Sequence, residues 1–123
     1  MFRTILAALA STTVFWVCPV FGCDSEYAAI AYSESTGRYG YSYAYSSLCA
    51  AECAARSRCH AGDARVVVWS RNNWCALALG DGGKYGFGWA GTQAEAESRA
   101  LAECSQRTTG AHIAASVFSG SGD

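Results

Sequence analysis

The chain has 123 residues, of which 51% are apolar and 15% charged, with a formal net charge of -1. That is enough apolar material for one core and too little positive charge to hold a phosphate backbone, so a nucleic-acid partner is disfavoured. Thirteen glycines and an aromatic share of 13% suit β-hairpins better than long polar helices.

The first segment reads as an export signal. Arg3 supplies one positive charge, and residues 5–22, ILAALASTTVFWVCPVFG, supply none before Asp24 and Glu26. A short positive start, an apolar run and a small residue at its end describe a secretory signal peptide over residues 1–22. The run is marginal for a membrane span, and Pro19 lies near its end. Val20-Phe21-Gly22 suits ordinary signal peptidase. With Cys23 it also resembles a lipobox, in which Cys23 would receive lipid, although Phe21 departs from that pattern. Either way the chain is expected in the periplasm or outside the cell, touching a membrane only through its signal peptide or a lipid on Cys23. Residues 23–123 form the expected exported domain.

Within that domain the sequence writes one plan twice, over about 27–70 and 74–119. Ala29–Tyr32 is an apolar strand, followed by a polar turn over Ser33–Gly37 and then GRYGYSYA, Gly37–Ala44. Side chains alternate faces along a strand. Tyr39, Tyr41, Tyr43 and Tyr45 therefore share one face, and Gly40, Ser42 and Ala44 the other. The Ala-rich stretch Ser46–Cys59 predicts a helix, and Val66–Trp69 a β-branched strand. The second copy begins at Ala76–Leu79, turns through Gly80–Gly83 and returns in GKYGFGWA, Gly83–Ala90. Tyr85, Phe87 and Trp89 oppose Gly86, Gly88 and Ala90. Thr92 with Glu95 forms a capping box opening a helix to Cys104, and His112–Phe118 is the last strand. The expected fold is α+β: two β-β-α-β repeats forming a mainly antiparallel sheet with two helices packed on it.

The chemistry-bearing residues are sparse. Cys18 leaves with the signal peptide, and Cys23, Cys49, Cys53, Cys59, Cys75 and Cys104 remain as disulfide candidates for an oxidising compartment, with 15 possible pairings. Cys49, Cys53, Cys59 and His60 could be set out as zinc ligands, but no CxxC pair is present, so no metal is expected. Cys59 or Cys75 with His112 offers a thiol and a base without a recognisable signature. Glu34 and Asp81 occupy corresponding turns and could frame a glycosidic bond, yet acids also simply favour turns. GDGGKYG lacks the Ser or Thr that a phosphate loop carries after its Lys. The aromatic stripes remain: Tyr39, Tyr41, Tyr43, Tyr85, Phe87 and Trp89 are the candidate binding residues. They would either stack on sugar rings or dock a partner, flanked by Arg38 and Lys84, or build the core beneath the helices, which is the favoured expectation.

The ordered set AIAYS, TGRYGYSY, an Ala-rich helix ending in Cys, VVVW, CALA, GKYGFGW and a second helix of pattern AxxxALxxC resembles the small bacterial exported proteins grouped as domain of unknown function four-one-eight-nine. The likeness spans Tyr27–Ser119. It implies an envelope or secreted location and, in some members, a link to host interaction; it supplies no activity, cofactor or catalytic residues. Family members often carry a further Cys where this chain has Ala64, Ala111 and Ser119, while Cys49 and Cys53 look like additions, so the usual disulfide arrangement does not carry over. The expectation is a non-enzymatic binding or effector-like protein meeting a protein or glycan at the envelope. A lipid-anchored structural component and an envelope hydrolase are the alternatives.

Overall fold

The computed structural model describes residues 26–120. The signal peptide expected over 1–22, Cys18 within it, and Cys23 with the lipobox reading lie outside the described residues. The first repeat runs β1 (Tyr27–Tyr32), β2 (Tyr39–Tyr45), α1 (Leu48–Cys59) and β3 (Arg65–Arg71). The second runs β4 (Trp74–Leu79), β5 (Tyr85–Ala90), α2 (Gln93–Ser105) and β6 (His112–Phe118), with a single 3-10 turn at Asp81–Gly83. The β-β-α-β order thus occurs twice, as expected.

The strands divide between two antiparallel sheets rather than joining in one. Each repeat closes its own, in the orders β2-β1-β3 and β5-β4-β6. Each sheet has two faces to cover. The inner faces meet one another: Ala28, Ile30 and Val68 of the first pack with Cys75, Leu77 and Val117 of the second. The outer faces each take a helix. Ala51, Ala55 and Cys59 of α1 lie on Ala29 and Ala31, while Ala96, Ala100 and Cys104 of α2 lie on Ala76 and Ala78. The architecture is therefore helix, sheet, sheet, helix.

Spacing at i, i+4 and i+8 puts each Ala-Ala-Cys set on one helical stripe. These side chains are so small that the helices come down almost to the sheet backbone. A Cβ on Gly40 would land on the backbone of Cys59 and 2.7 Å from the Ala55 carbonyl oxygen. A Cβ on Gly86 would land on Cys104 and 2.7 Å from the Ala100 carbonyl oxygen, and one on Gly88 would lie 2.7 Å from the Ala96 carbonyl oxygen. Ser42 is admitted because its hydroxyl donates to the Ala51 carbonyl at 2.6 Å. The glycine faces of the hairpins are thus the helix faces. This overturns the expectation that the aromatic stripes fill the core beneath the helices, because only Gly, Ala or a hydrogen-bonded Ser fits there. The stripes point the other way, toward the opposite sheet.

Both helices begin at side-chain caps. The Ser47 hydroxyl accepts from the Ala50 N–H at 3.2 Å, and the Thr92 hydroxyl accepts from the Glu95 N–H at 3.2 Å. Helix α1 stops at His60, whose φ of 57° is left-handed. The Arg38 guanidinium donates to the His60 carbonyl at 3.0 Å, so this basic residue seals a helix end rather than flanking an aromatic surface.

Disulfide stapling is not found among the described residues, where Cys49, Cys53, Cys59, Cys75 and Cys104 are all free thiols. The layers explain why the buried ones do not meet. Cys59 lies under α1, Cys75 between the sheets and Cys104 under α2. Cys49 and Cys53 are exposed on α1. Burial pushes all three interior thiols upward in pKa, Cys75 to about 11.

Candidate binding grooves

Because β1 lies opposite β4, the edge strands also face one another across the sandwich. On one side β2 faces β6; on the other β5 faces β3. The aromatic stripe of each hairpin looks into the gap opposite the last strand of the other repeat. The result is two grooves, one along each edge, each walled by both repeats.

The first groove encloses about 540 Å³, with Tyr39, Tyr41 and Tyr43 on one wall and Ala114, Ser116 and Phe118 on the other. Tyr39 spans it, its hydroxyl donating to the Ala114 carbonyl at 3.0 Å, and so closes one end. Tyr41 and Tyr43 remain open, Tyr43 with half its surface exposed. Their strand is held from behind, where Arg58 donates to the Tyr41 carbonyl at 3.0 Å. Trp74 stacks at a tilt on Phe118, with ring centroids 5.3 Å apart, and both rings line the groove. No charged side chain lines it.

The second groove encloses about 350 Å³ between Phe87 and Trp89 of β5 and Val67, Trp69 and Arg71 of β3. Trp89 is 53% exposed and Trp69 45%. Tyr85 occupies the place that Tyr39 holds in the first repeat, and it too reaches across. Its hydroxyl accepts from Arg65 at 3.4 Å, its ring lies 5.1 Å from that of Tyr32, and the Arg107 guanidinium sits 5.9 Å from its centroid. Arg99 donates to the Trp89 carbonyl and Arg107 to the Tyr85 carbonyl, at 3.0 and 2.9 Å. These arginines occupy main-chain acceptors on an edge strand that could otherwise pair with another chain.

The six candidate binding residues therefore do not form one ladder. Tyr39, Tyr41 and Tyr43 come together at one edge, Phe87 and Trp89 at the other, and Tyr85 closes the end of the second set. Sequence reasoning missed the opposing walls. Trp69 and Phe118 were visible only as the ends of strands, and Trp74 lay ahead of the strand expected at Ala76–Leu79. Their role comes from which sheet each strand joins, a non-local choice.

The acid, base and thiol candidates are dispersed. Asp81 accepts from the Thr109 hydroxyl at 2.9 Å, and its N–H donates to the Thr109 carbonyl at 2.9 Å, so it ties the β4–β5 turn to the loop before β6. Glu34 is exposed in the β1–β2 turn. It adds to burial in pushing the Tyr32 phenol above its ordinary value. His112 pairs with Leu79, whereas Cys75 pairs with Val117. Four positions of strand, about 13 Å, separate that thiol from that imidazole. Cys59 lies in a different layer from His112. Cys49 and Cys53 are exposed while Cys59 is buried. Among the described residues no three or more His, Cys, Asp or Glu side chains gather as a metal site would need.

Asp63 is the acid that sequence reasoning overlooked. The Ser33 hydroxyl donates to it at 2.5 Å, and this bond, followed by one from Ser35, holds its carboxyl below the ordinary range. It fastens the first hairpin turn to the loop after α1, a structural task.

Neither a curated protein nor a solved structure matches the chain. A family pattern described as a domain of unknown function matches residues 27–117, the stretch that builds both sheets, both helices and both grooves. The chain therefore belongs to the family called DUF4189.

Proposed function

We propose that this protein is an exported, non-enzymatic binding domain of the cell envelope or extracellular space, and that its ligand is an uncharged glycan. The observation that carries this reading is the first groove: open tyrosines in a row, small residues such as Ala114 and Ala115 opposite, and no charged side chain in the lining. A pyranose ring has an apolar C–H face and a rim of hydroxyls. Tyrosine offers the matching pair, an aromatic face and a phenolic hydroxyl. Alternate residues of a strand are about 6.6 Å apart, so Tyr39 to Tyr43 covers about 13 Å, room for a short run of sugar rings. A peptide carrying charge would find no counter-charge there, which disfavours it. The dispersal of the acids and bases supports binding rather than cleavage: Asp81 and Asp63 are spent on loop ties, and His112 stands apart from Cys75.

The test is a pull-down of the mature domain with insoluble envelope polysaccharide and with chitin, each washed in high salt. Retention on either, reduced about tenfold by Tyr41→Ala combined with Tyr43→Ala while circular dichroism stays unchanged, is the expected result. Equal retention of the variant, or release of reducing sugar ends by the wild type, would overturn the reading.

A further inference from the structure

We infer that the domain is bivalent: the second groove is a second glycan site, and one chain holds two polymer segments at opposite edges. This rests on the glycan reading of the first groove and extends it to a place where nothing assigns a function.

The two grooves have the same construction. Each has one wall from the aromatic strand of a hairpin and the other from the last strand of the opposite repeat. Tyr39 reaches β6 at the Ala114 carbonyl, and Tyr85 reaches β3 at Arg65, so in both the first ring of the stripe closes one end. The next two positions stay available: Tyr41 and Tyr43 in the first groove, Phe87 and Trp89 in the second. An indole more than half exposed is a large apolar surface left in water, and Trp69, whose ring lies 6.2 Å from that of Tyr27, borders the same groove. Tryptophans in that position are typical anchors of binding sites. Asn73 borders the same groove, its carbonyl taken by the buried Ser70 hydroxyl at 3.0 Å.

The grooves differ in chemistry as well as place. The first is larger in volume, uncharged and lined by phenols. The second is smaller, richer in indole and includes Arg71. The second therefore offers stronger ring stacking and less hydrogen bonding. Because the two edges are separated by the width of both sheets, occupancy of one does not block the other. A domain with two such grooves cross-links polymers, gaining avidity from two modest sites.

The experiment is calorimetric titration of the exported chain with a hexamer of N-acetylglucosamine, in wild type, Tyr41→Ala, Trp89→Ala and the double variant. Both side chains are about half exposed, so little change in thermal unfolding is expected, and unfolding serves as the check on folding. The expected result is two sites per chain in the wild type, one in each single variant and none in the double, each loss being about tenfold or more in affinity. One site, abolished by Tyr41→Ala and untouched by Trp89→Ala, would overturn bivalency while leaving the glycan reading standing. No site in the wild type would overturn both. If Trp89→Ala perturbs folding, Trp89→Gln supplies the second-groove variant, and retention of both sites in a folded Trp89→Gln would also overturn the proposal.

Discussion

The two repeats agree on one side of their hairpins and diverge on the other. Toward the helices both present residues with little or no side chain, Gly40 and Ser42 in the first, Gly86 and Gly88 in the second, against an Ala-Ala-Cys stripe of matching spacing. Toward the grooves the first presents phenols and the second a phenyl and an indole. The first also carries a register shift after Tyr27 and a left-handed Ala44, φ 64°, whose N–H donates to the Ser119 carbonyl at 2.8 Å, whereas β4 and β5 pair without interruption. Loop ties differ too: an acid after the helix, Asp63, in one copy, and an acid in the hairpin turn, Asp81, in the other. Architecture is held by the helix-facing contacts, which tolerate almost no change. The groove faces are free to be specialised.

That contrast can be broken first at the shared side. Gly86→Ala is expected to cost about 3 kcal/mol of unfolding free energy, because the new methyl meets helix backbone rather than a side chain that can swing away. Gly62→Ala, where a Cβ meets nothing, is the control and should change stability by less than about 0.5 kcal/mol in the same denaturant titration. Equal stabilities would mean that the helix can lift, and that the close approach is not what fixes the layers.

A difference between equivalent core positions sharpens it next. Cys75 stands where the first repeat has Ala28. Burial raises the Cys75 thiol from about 9 to about 11, so the folded state favours the neutral form. The stabilising effect is complete below pH 9 and is lost as pH rises toward 11, by an amount on the order of 2 to 3 kcal/mol. Denaturation midpoints measured from pH 8 to 11 should fall for the wild type and fall less for Cys75→Ala, which installs the first repeat's residue.

The smallest effect belongs to the one helix-facing position that differs. Ser42→Gly installs the second repeat's residue and removes a buried hydroxyl together with its bond to the Ala51 carbonyl. A loss of about 1 kcal/mol is expected in equilibrium unfolding, with helix content unchanged by circular dichroism. A gain in stability would mean that the hydroxyl holds α1 away from a closer seat.

Much of the fold was legible because it is local. Strict alternation in YGYSY and YGFGW predicts strands and their two faces, Thr92 with Glu95 marks the start of the second helix, and the repetition predicts the element order. The orientation of the faces was misjudged, although its signal was present. Glycines at alternate positions beside a helix of alanines mean close contact, not a space for large rings to fill. The division into two sheets was not legible, since nothing in a strand's own residues states which strand lies opposite. For the same reason the tyrosine stripe could be named but its groove could not: the second wall comes from residues about 75 positions away, as the Tyr39–Ala114 bond illustrates.

The crossing of walls between repeats has a consequence for the history and handling of the chain. A solitary β-β-α-β unit would have its outer face covered by its own helix and its inner face, with Ile30 and Tyr32, laid bare, and it would own only half of each groove. Such a unit would be complete only as a pair of identical copies. The short link from Arg71 to Trp74 makes that pairing intramolecular, and so allows the two halves, relieved of the need to be identical, to carry phenols at one edge and indoles at the other.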